Sequence, residues 1–213
     1  MKQGKFITLE GGEGVGKTTN IVFVKEYLES HGVAVLQTRE PGGTAMAEEI
    51  RNLLLKKNNE GICNEAELLM MFAARAQHIN QVIRPALVQG KWVICDRFTE
   101  ATYAYQGGGR NLDVSIISWL ENLVQGDFRP DLTLLLDAPV DVGMKRANDR
   151  AELDRFESEK IDFFNRVRTA YLKLAKLHSD RILIVNANQG LPMVQREIQD
   201  AIDDLLKSAN ELN

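Results

Sequence analysis

EGGEGVGKTT, residues 10–19, sets the architecture of this chain. Within it GGEGVGKT, residues 11–18, has the spacing G-x-x-x-x-G-K-[ST]. The apolar run Phe6 to Leu9 precedes it and reads as a strand. Thr18 to Ser30 follows with Ile21, Val24 and Leu28 at helical spacing, and His31-Gly32 reads as the stop. A glycine loop between a strand and a helix has a physical purpose. A phosphate chain must come close to backbone N–H groups, so side chains are removed and positive φ is permitted at Gly11, Gly14 and Gly16. The helix start adds unpaired N–H groups and the positive end of a dipole. Gly11, Gly12, Glu13, Gly14, Val15, Gly16, Lys17 and Thr18 are therefore expected to cradle a triphosphate such as ATP. Lys17 brings a mobile charge to the outer phosphates, and the Thr18 hydroxyl can ligate Mg²⁺.

Outward from the loop, strand and helix patterns alternate. Apolar runs at Val33 to Gln37, Trp92 to Cys95, Leu132 to Leu136 and Ile182 to Val185 lack clean alternation, as strands covered on both faces do. Helical spacing separates them. It runs over Ala45 to Lys57, with Ile50, Leu53 and Leu54, and over Glu65 to Gln89, with Pro85 as a kink or break. It returns over Asp113 to Gln125, Val140 to about Asp149, Ser158 to His178 and Pro192 to Lys207. This predicts an α/β fold in three layers, a five-stranded parallel sheet flanked by helices. No linker, repeat or low-complexity tract cuts the chain, so 1–213 is expected to be a single domain.

Composition narrows the class. The 213 residues suffice for one core. With 44% hydrophobic and 26% charged residues, disorder is not expected. A net charge of −4 offers no basic excess for a nucleic-acid backbone. No apolar stretch approaches about 18 residues, and the amino terminus has no signal-like apolar core. No membrane contact is expected, and the location expected is cytoplasmic. Cys63 and Cys95 have no metal-binding spacing. Cys95 follows Trp92, Val93 and Ile94 and reads as buried.

The loop names a ligand and not its use. A GTPase needs a guanine-reading Asn-Lys-x-Asp, and the chain has none; the Asp-x-x-Gly switch signature is also missing. Motor and transporter ATPases are usually larger. A small chain with this loop at its start suits a kinase acting on a small acceptor.

Three later segments narrow this further: TREPGGT at residues 38–44, DRFTEATYAYQGGGR at 96–110 and LDRFE at 153–157. With the loop, in this order and at these distances, they resemble bacterial thymidylate kinases, members of the P-loop nucleoside monophosphate kinases. The resemblance covers essentially the whole chain. REPGGT and AYQGGGR are specific to it; the loop is not. It implies a P-loop kinase fold with a small arginine-bearing lid, about 144–158, and a homodimer to which Glu65 to Gln89 can contribute.

Asp96 ends an apolar strand, where a carboxylate sits at the carboxyl edge of the sheet beside the loop and can hold Mg²⁺ or its waters. Arg97 follows, and its planar fork suits a phosphate. A strand-end salt bridge is the plain alternative; the resemblance implies the metal role for Asp96 and the phosphate role for Arg97. Phe72 and Arg75 are three apart on a predicted helix and share a face. On the residues alone Phe72 reads as core and Arg75 as solvated or salt-bridged. The resemblance implies that the ring stacks on thymine and that the guanidinium donates to O4, where cytosine carries an amine.

The resemblance also implies that Arg39, on its Pro-Gly-Gly turn, holds the acceptor monophosphate. It implies that Glu13 accepts from the sugar 3′-hydroxyl. A negative charge inside a phosphate loop has no stability rationale, because like charges repel. Thr102 and Gln106 resemble the residues that read the thymine edge, and Tyr105 the aromatic that excludes ribose. Ala101 departs from family members that carry serine. Arg110 fits a phosphate contact or plain loop surface.

NDRAELDRFE, residues 148–157, places Arg150 and Arg155 around a polar stretch between two predicted helices. A flap with arginines can close over the γ-phosphate, supply charge and exclude water; a solvated loop is the alternative. Some thymidylate kinases carry an arginine just after the acidic residue of the loop. Here Gly14 stands there, and the resemblance then implies a lid arginine, Arg150 or Arg155, as a catalytic partner of Lys17 and Arg97. The expected reaction is ATP + dTMP → ADP + dTDP with Mg²⁺. Two other readings stay open: a kinase of this fold with another acceptor, such as dUMP or a deoxynucleoside, and a regulator that holds ATP without phosphorylating anything.

Overall fold

The structure is a computed structural model that describes residues 3–56, 61–148, 155–156 and 159–211. Its centre is a five-stranded parallel sheet: β1 (Phe6–Glu10), β2 (Val35–Arg39), β3 (Trp92–Asp96), β4 (Leu132–Asp137) and β5 (Ile182–Asn186), in the order β2-β3-β1-β4-β5. The strands extend past their apolar runs at the carboxyl end. The added polar residues still pair in the ladder: Glu10 with Leu135, Arg39 with Asp96, and Asp137 with Asn186. One edge of the sheet is thereby lined with chemistry-bearing side chains. The chain fills one side of β1 with β2 and β3, then crosses to β4 and β5. That reversal opens a crevice at the carboxyl ends of β1 and β3, where parallel sheets bind ligands.

Both faces of the central strands β1, β3 and β4 are covered, which is why they read as unbroken apolar runs; the edge strands β2 and β5 are only partly covered, and Leu183 and Ile184 of β5 are exposed. Ile7 and Leu9 of β1 face α1 (Lys17–Ser30) and α9 (Leu191–Glu211), packing with Ile21, Val24, Leu28, Ile198 and Ile202. Phe6 points to the opposite face with Val93, Cys95 and Phe98. Cys95 is buried there, as its setting predicted. A further cluster on α8 (Ile161–Leu177), with Phe163, Phe164, Val167 and Tyr171, packs with Leu135. Each fully buried side chain of this kind contributes about 1.5–3 kcal/mol. The remaining helices are α2 (Ala45–Leu55), α3 (Asn64–His78), α4 (Arg84–Val88), α5 (Thr99–Thr102), α6 (Val114–Gln125) and α7 (Val140–Asn148).

Two segments depart from the expected pattern. The long helix over Glu65 to Gln89 is in three pieces: α3, a π-helical turn at Ile79–Ile83, then α4. Pro85 accounts for it. Proline has no N–H to donate, and its ring crowds the carbonyl four residues back. The Arg84 N–H bonds instead to Ile79 O, five back, so the ladder widens and Pro85 falls in the first turn of α4, where it is tolerated. No helix was expected in TEATYAYQGGG, yet α5 opens into a π-helical turn at Tyr103–Gly109 that lies on α8. A Cβ at Gly109 would stand 2.4 Å from the Phe163 ring, so only glycine lets this turn seat so closely. Among the described residues no helix is long and apolar enough to cross a membrane.

Candidate active site

The glycine loop leaves β1 and enters α1 with positive φ at Gly11, Gly14 and Gly16, as its composition predicted. Gly16 is the N-cap of α1 and no side chain caps that end. The first-turn N–H groups therefore face the crevice with the helix dipole behind them, which is an anion site. A Cβ at Gly14 would lie 1.9 Å from Gly143 O, and one at Gly143 would lie 2.3 Å from Glu13 O. The loop and α7 thus meet backbone to backbone. Lys17 is buried, and Nζ donates to Gly12 O at 2.7 Å and Gly11 O at 3.3 Å, folded over the loop. Burial lowers its pKa. Thr18 stands exposed at the helix start.

Register brings Leu9, Asp96 and Arg39 level at the carboxyl edge. Arg97 follows Asp96 with φ 66, a left-handed backbone uncommon for a side chain of this size. Its neighbours hold it there: Arg97 N donates to Leu9 O at 3.0 Å and Phe98 N to Glu10 Oε1 at 2.6 Å. The guanidinium turns back to the loop, donating to Gly11 O at 2.8 Å, the Tyr171 hydroxyl at 3.2 Å and Glu13 Oε1 at 2.6 Å. It also lies 4.8 Å above the Tyr105 ring.

Glu13 thus has a stability rationale that the sequence did not reveal, because a cation and the Tyr105 hydroxyl meet it. Burial alone would raise its pKa, but Arg97 and Lys17 outweigh burial and hold the carboxyl at about 2. Glu10, deeper in the crevice, goes the other way. Burial and then Glu100 raise it to about 8 against the pull of Arg97 and Tyr171. Asp96 Oδ1 is buried with no hydrogen-bond partner among the described residues.

Facing the loop is a cavity of about 300 Å³. It brings together Glu13, Lys17, Thr18, Asp96, Arg97, Arg75, Thr102, Tyr105 and Gln106, all expected at one site. Arg75 is buried and nearly saturated. Nε donates to Glu40 at 2.7 Å, and Nη2 donates to Phe98 O at 3.1 Å and Thr102 Oγ1 at 3.0 Å. Nη1 has no partner among the described residues. Glu40, which had no expected role, also accepts from His78 Nδ1 at 3.0 Å and so anchors Arg75 from behind.

Other expected residues are placed elsewhere. Phe72 does not line the cavity; it packs between α3 and α6 with Leu68, Ile117 and Leu120, and Arg75 lies 4.9 Å above its ring. The cavity wall at this level is Met71, which is four residues from Arg75 rather than three. Arg39 is absent from the lining too. Its side chain is half exposed and pairs with Glu48 Oε2 at 2.7 Å on α2. Arg51 of α2 lines the cavity instead. The signal for Arg51 was its position: it shares the helix face of Ala47 and Leu54, which are buried, so a cation there is out of place on packing grounds. Arg155 donates to Glu67 Oε2 at 2.6 Å and Leu54 O at 2.7 Å, away from the loop. Arg150 lies outside the described residues. Arg110 meets Glu67 and Glu159.

A sequence model of the family described as thymidylate kinase matches residues 9–198. Two curated thymidylate kinases are each 55% identical to this chain. That of Teredinibacter turnerae aligns over 203 residues, 95% of this chain and 99% of the relative, and that of Pseudomonas putida over 204, 96% and 97%. The crystal structure of thymidylate kinase from Ehrlichia chaffeensis superposes with a TM-score of 0.77 at 36% identity, covering 94% of this chain and 99% of that one. Similarity of this extent spans both the glycine loop and the wall opposite it, and on that ground the chain belongs to the thymidylate kinase family.

Proposed function

We propose that this chain transfers the γ-phosphoryl group of ATP to dTMP, giving dTDP and ADP. One observation carries the choice of acceptor. Arg75 is buried and pinned by Glu40, with its Nη1 amino group unpartnered among the described residues, beside Thr102 and Gln106 in a cavity that opens onto the glycine loop. A fixed donor there suits thymine O4. The apolar wall at that level is the Met71 thioether.

The acceptor phosphate has a second pKa of about 6, so an anionic oxygen is present near neutral pH without a general base. That oxygen bonds to the γ-phosphorus in line, the bond from γ-phosphorus to the bridging oxygen breaks, and ADP departs with the electron pair. Catalysis is then alignment and charge neutralisation. Arg97 stands between loop and cavity, where it reaches the transferring group. Lys17 exchanges the loop carbonyls for phosphate oxygens. Arg51 takes the role first expected of Arg39, the acceptor phosphate. The lid contact is proposed for Arg150 or Arg155, the latter held by Glu67 in this structure.

Mg²⁺ is the proposed companion of ATP. Asp96 Oδ1, buried without a partner among the described residues, and the exposed Thr18 hydroxyl belong to residues that line the cavity and would hold it or its waters. Among the described residues no three His, Cys, Asp or Glu side chains cluster as a cage. Two ligands suffice for an ion that keeps its waters and is shared with phosphates. When bound, it supplies positive charge to the phosphate chain.

A second copy of the chain is the proposed partner, and the cytoplasm, where ATP is at hand, the proposed location. The test of function is a steady-state assay with ATP and dTMP, dUMP, dCMP or thymidine. Acceptor-dependent ADP release with dTMP as the best acceptor is expected. ATP binding without acceptor-dependent turnover would mean a regulator instead.

A further inference from the structure

Glu67 of α3 is fully buried, and three side chains from two other segments, the π-helical turn with its end residue Arg110 and the stretch carrying Arg155, converge on its carboxylate. Gln106 Nε2 donates to Oε1 at 2.8 Å. Arg155 Nη2 donates to Oε2 at 2.6 Å. Arg110 reaches both oxygens, with Nε to Oε1 at 3.3 Å and Nη2 to Oε2 at 3.4 Å. A buried carboxylate is unfavourable unless paired, and two guanidinium groups provide that pairing. Charge balance alone would not call for Gln106 as well.

An ionised carboxylate accepts hydrogen bonds and cannot donate them. A side-chain amide that faces it must present its NH₂ end. Gln106 therefore has one sense: nitrogen toward Glu67, carbonyl oxygen away from it. Gln106 also lines the acceptor cavity with Arg75 and Thr102.

We propose that Glu67 is a positioning residue that sets which end of the Gln106 amide meets the acceptor base, an inference that rests on the thymidylate reading above. The wall then offers a donor, Arg75 Nη1, and an acceptor, Gln106 Oε1. Thymine matches this with its O4 acceptor and N3–H donor. Cytosine mismatches at both places, with an amine at C4 and an acceptor at N3. The same carboxylate holds Arg155. Its neighbour Phe156 stands edge-on to Tyr105 at 6.1 Å and lines the cavity, so one buried charge braces the base wall from behind.

The test compares wild type, Glu67→Gln, Gln106→Met and the double variant, each assayed with dTMP and with dCMP at saturating ATP. Glutamine at 67 can donate as well as accept, which releases the Gln106 amide to turn over. The expected result is a fall of about tenfold or more in the kcat/KM preference for dTMP over dCMP, the scale of a misplaced hydrogen bond to a substrate. KM for ATP is expected to hold. The double variant is expected to be no less selective than Gln106→Met alone, because the two residues act through one contact. A merely structural Glu67 would lower the melting temperature and both activities together and leave the ratio alone. An unchanged ratio in folded Glu67→Gln, or additive losses in the double variant, overturns the proposal. If Glu67→Gln does not fold, Gln106→Met decides, since it leaves Glu67 and both arginines in place; an unchanged ratio there overturns it equally. A wild-type enzyme with no preference for dTMP is a different result, visible before any variant is made. It rejects the thymidylate reading and this inference with it.

Discussion

Met71 and Phe72 are adjacent in sequence, yet one lines the acceptor cavity and the other lies in the core between α3 and α6. Successive helical residues diverge by about 100° around the axis, so they cannot share a role. Met71→Ala is expected to raise KM for dTMP roughly tenfold, as loss of apolar contact in a specificity pocket does, with KM for ATP unmoved. Phe72→Ala is expected to cost about 3–5 kcal/mol of stability with little change in acceptor preference. Thermal unfolding and steady-state kinetics on both variants check this; a dTMP-specific defect in Phe72→Ala alone would restore the ring to the site. Arg97→Ala is expected to lower turnover by roughly 10²-fold or more, since it removes a fixed cation and leaves only Lys17 and the Tyr105 hydroxyl to offset Glu13 beside the phosphates. Wild-type kcat in that variant would rule the role out.

Glu10 gives a pH signature at the same scale. Its carboxyl stands at about 8 in the fold against 4.5 as the ordinary value, so between these values the folded chain holds a proton that the unfolded chain has released. That contribution to stability is fully present below pH 4.5 and is lost as pH rises through 8. The loss is on the order of 4 kcal/mol. Glu10→Gln is expected to remove it, so the stability difference between variant and wild type should shift in favour of the variant from pH 5 to pH 8. Parallel denaturation curves across that range would contradict the assignment.

Between elements, the closest fit in the site is the contact of the loop with α7. Gly143 has no unusual φ, so an alanine there is strained only by the Glu13 carbonyl 2.3 Å from its Cβ. Gly143→Ala is expected to destabilise the fold by about 1–3 kcal/mol and to raise KM for ATP more than KM for dTMP, because the backbone that must yield belongs to the phosphate loop. Equal effects on both substrates would place the strain elsewhere. The π-helical turns also belong to this scale. The one before Pro85 follows from a missing donor; the one at Tyr103–Gly109 follows from the demand that Tyr105 and Gln106 reach the cavity while the glycines seat on α8.

Across the whole molecule, α2, α3 and α6 lie side by side and carry exposed apolar side chains: Leu53, Leu69, Ile116, Trp119 at 64% and Leu123 at 67% exposure. An apolar face of this kind on a folded chain is a candidate association surface, and a second copy is the proposed occupant. Because α3 and its Arg75 line the acceptor cavity from behind, association would also stiffen that wall. Trp119→Glu is expected to turn a dimer into a monomer in sedimentation velocity and to raise KM for dTMP. A wild-type chain that sediments as a monomer, or a variant that stays dimeric, would remove this face from consideration.

What could be read along the chain was what near neighbours encode. Glycine spacing made the phosphate loop, because φ and the absence of a Cβ are properties of single residues. Apolar runs made five strands, and in the central three burial on both sheet faces removes alternation. The Asp96-Arg97 strand end was legible from its place after an apolar run, and Arg75, Thr102, Tyr105 and Gln106 through the family resemblance; on the residues alone Arg75 read as solvated or salt-bridged. What folding in three dimensions settled was which side chain answers which. Arg39 and Arg51 are chemically equivalent, and only the packing of α2 turns one to Glu48 and the other to the cavity. Glu40 and Glu67 carry no signature in a list of residues; they matter because residues 35 and 39 positions away along the chain bring Arg75 and Gln106 against them. Hydrogen-bond partners are chosen by distance in space, and distance in space is a property of the whole fold.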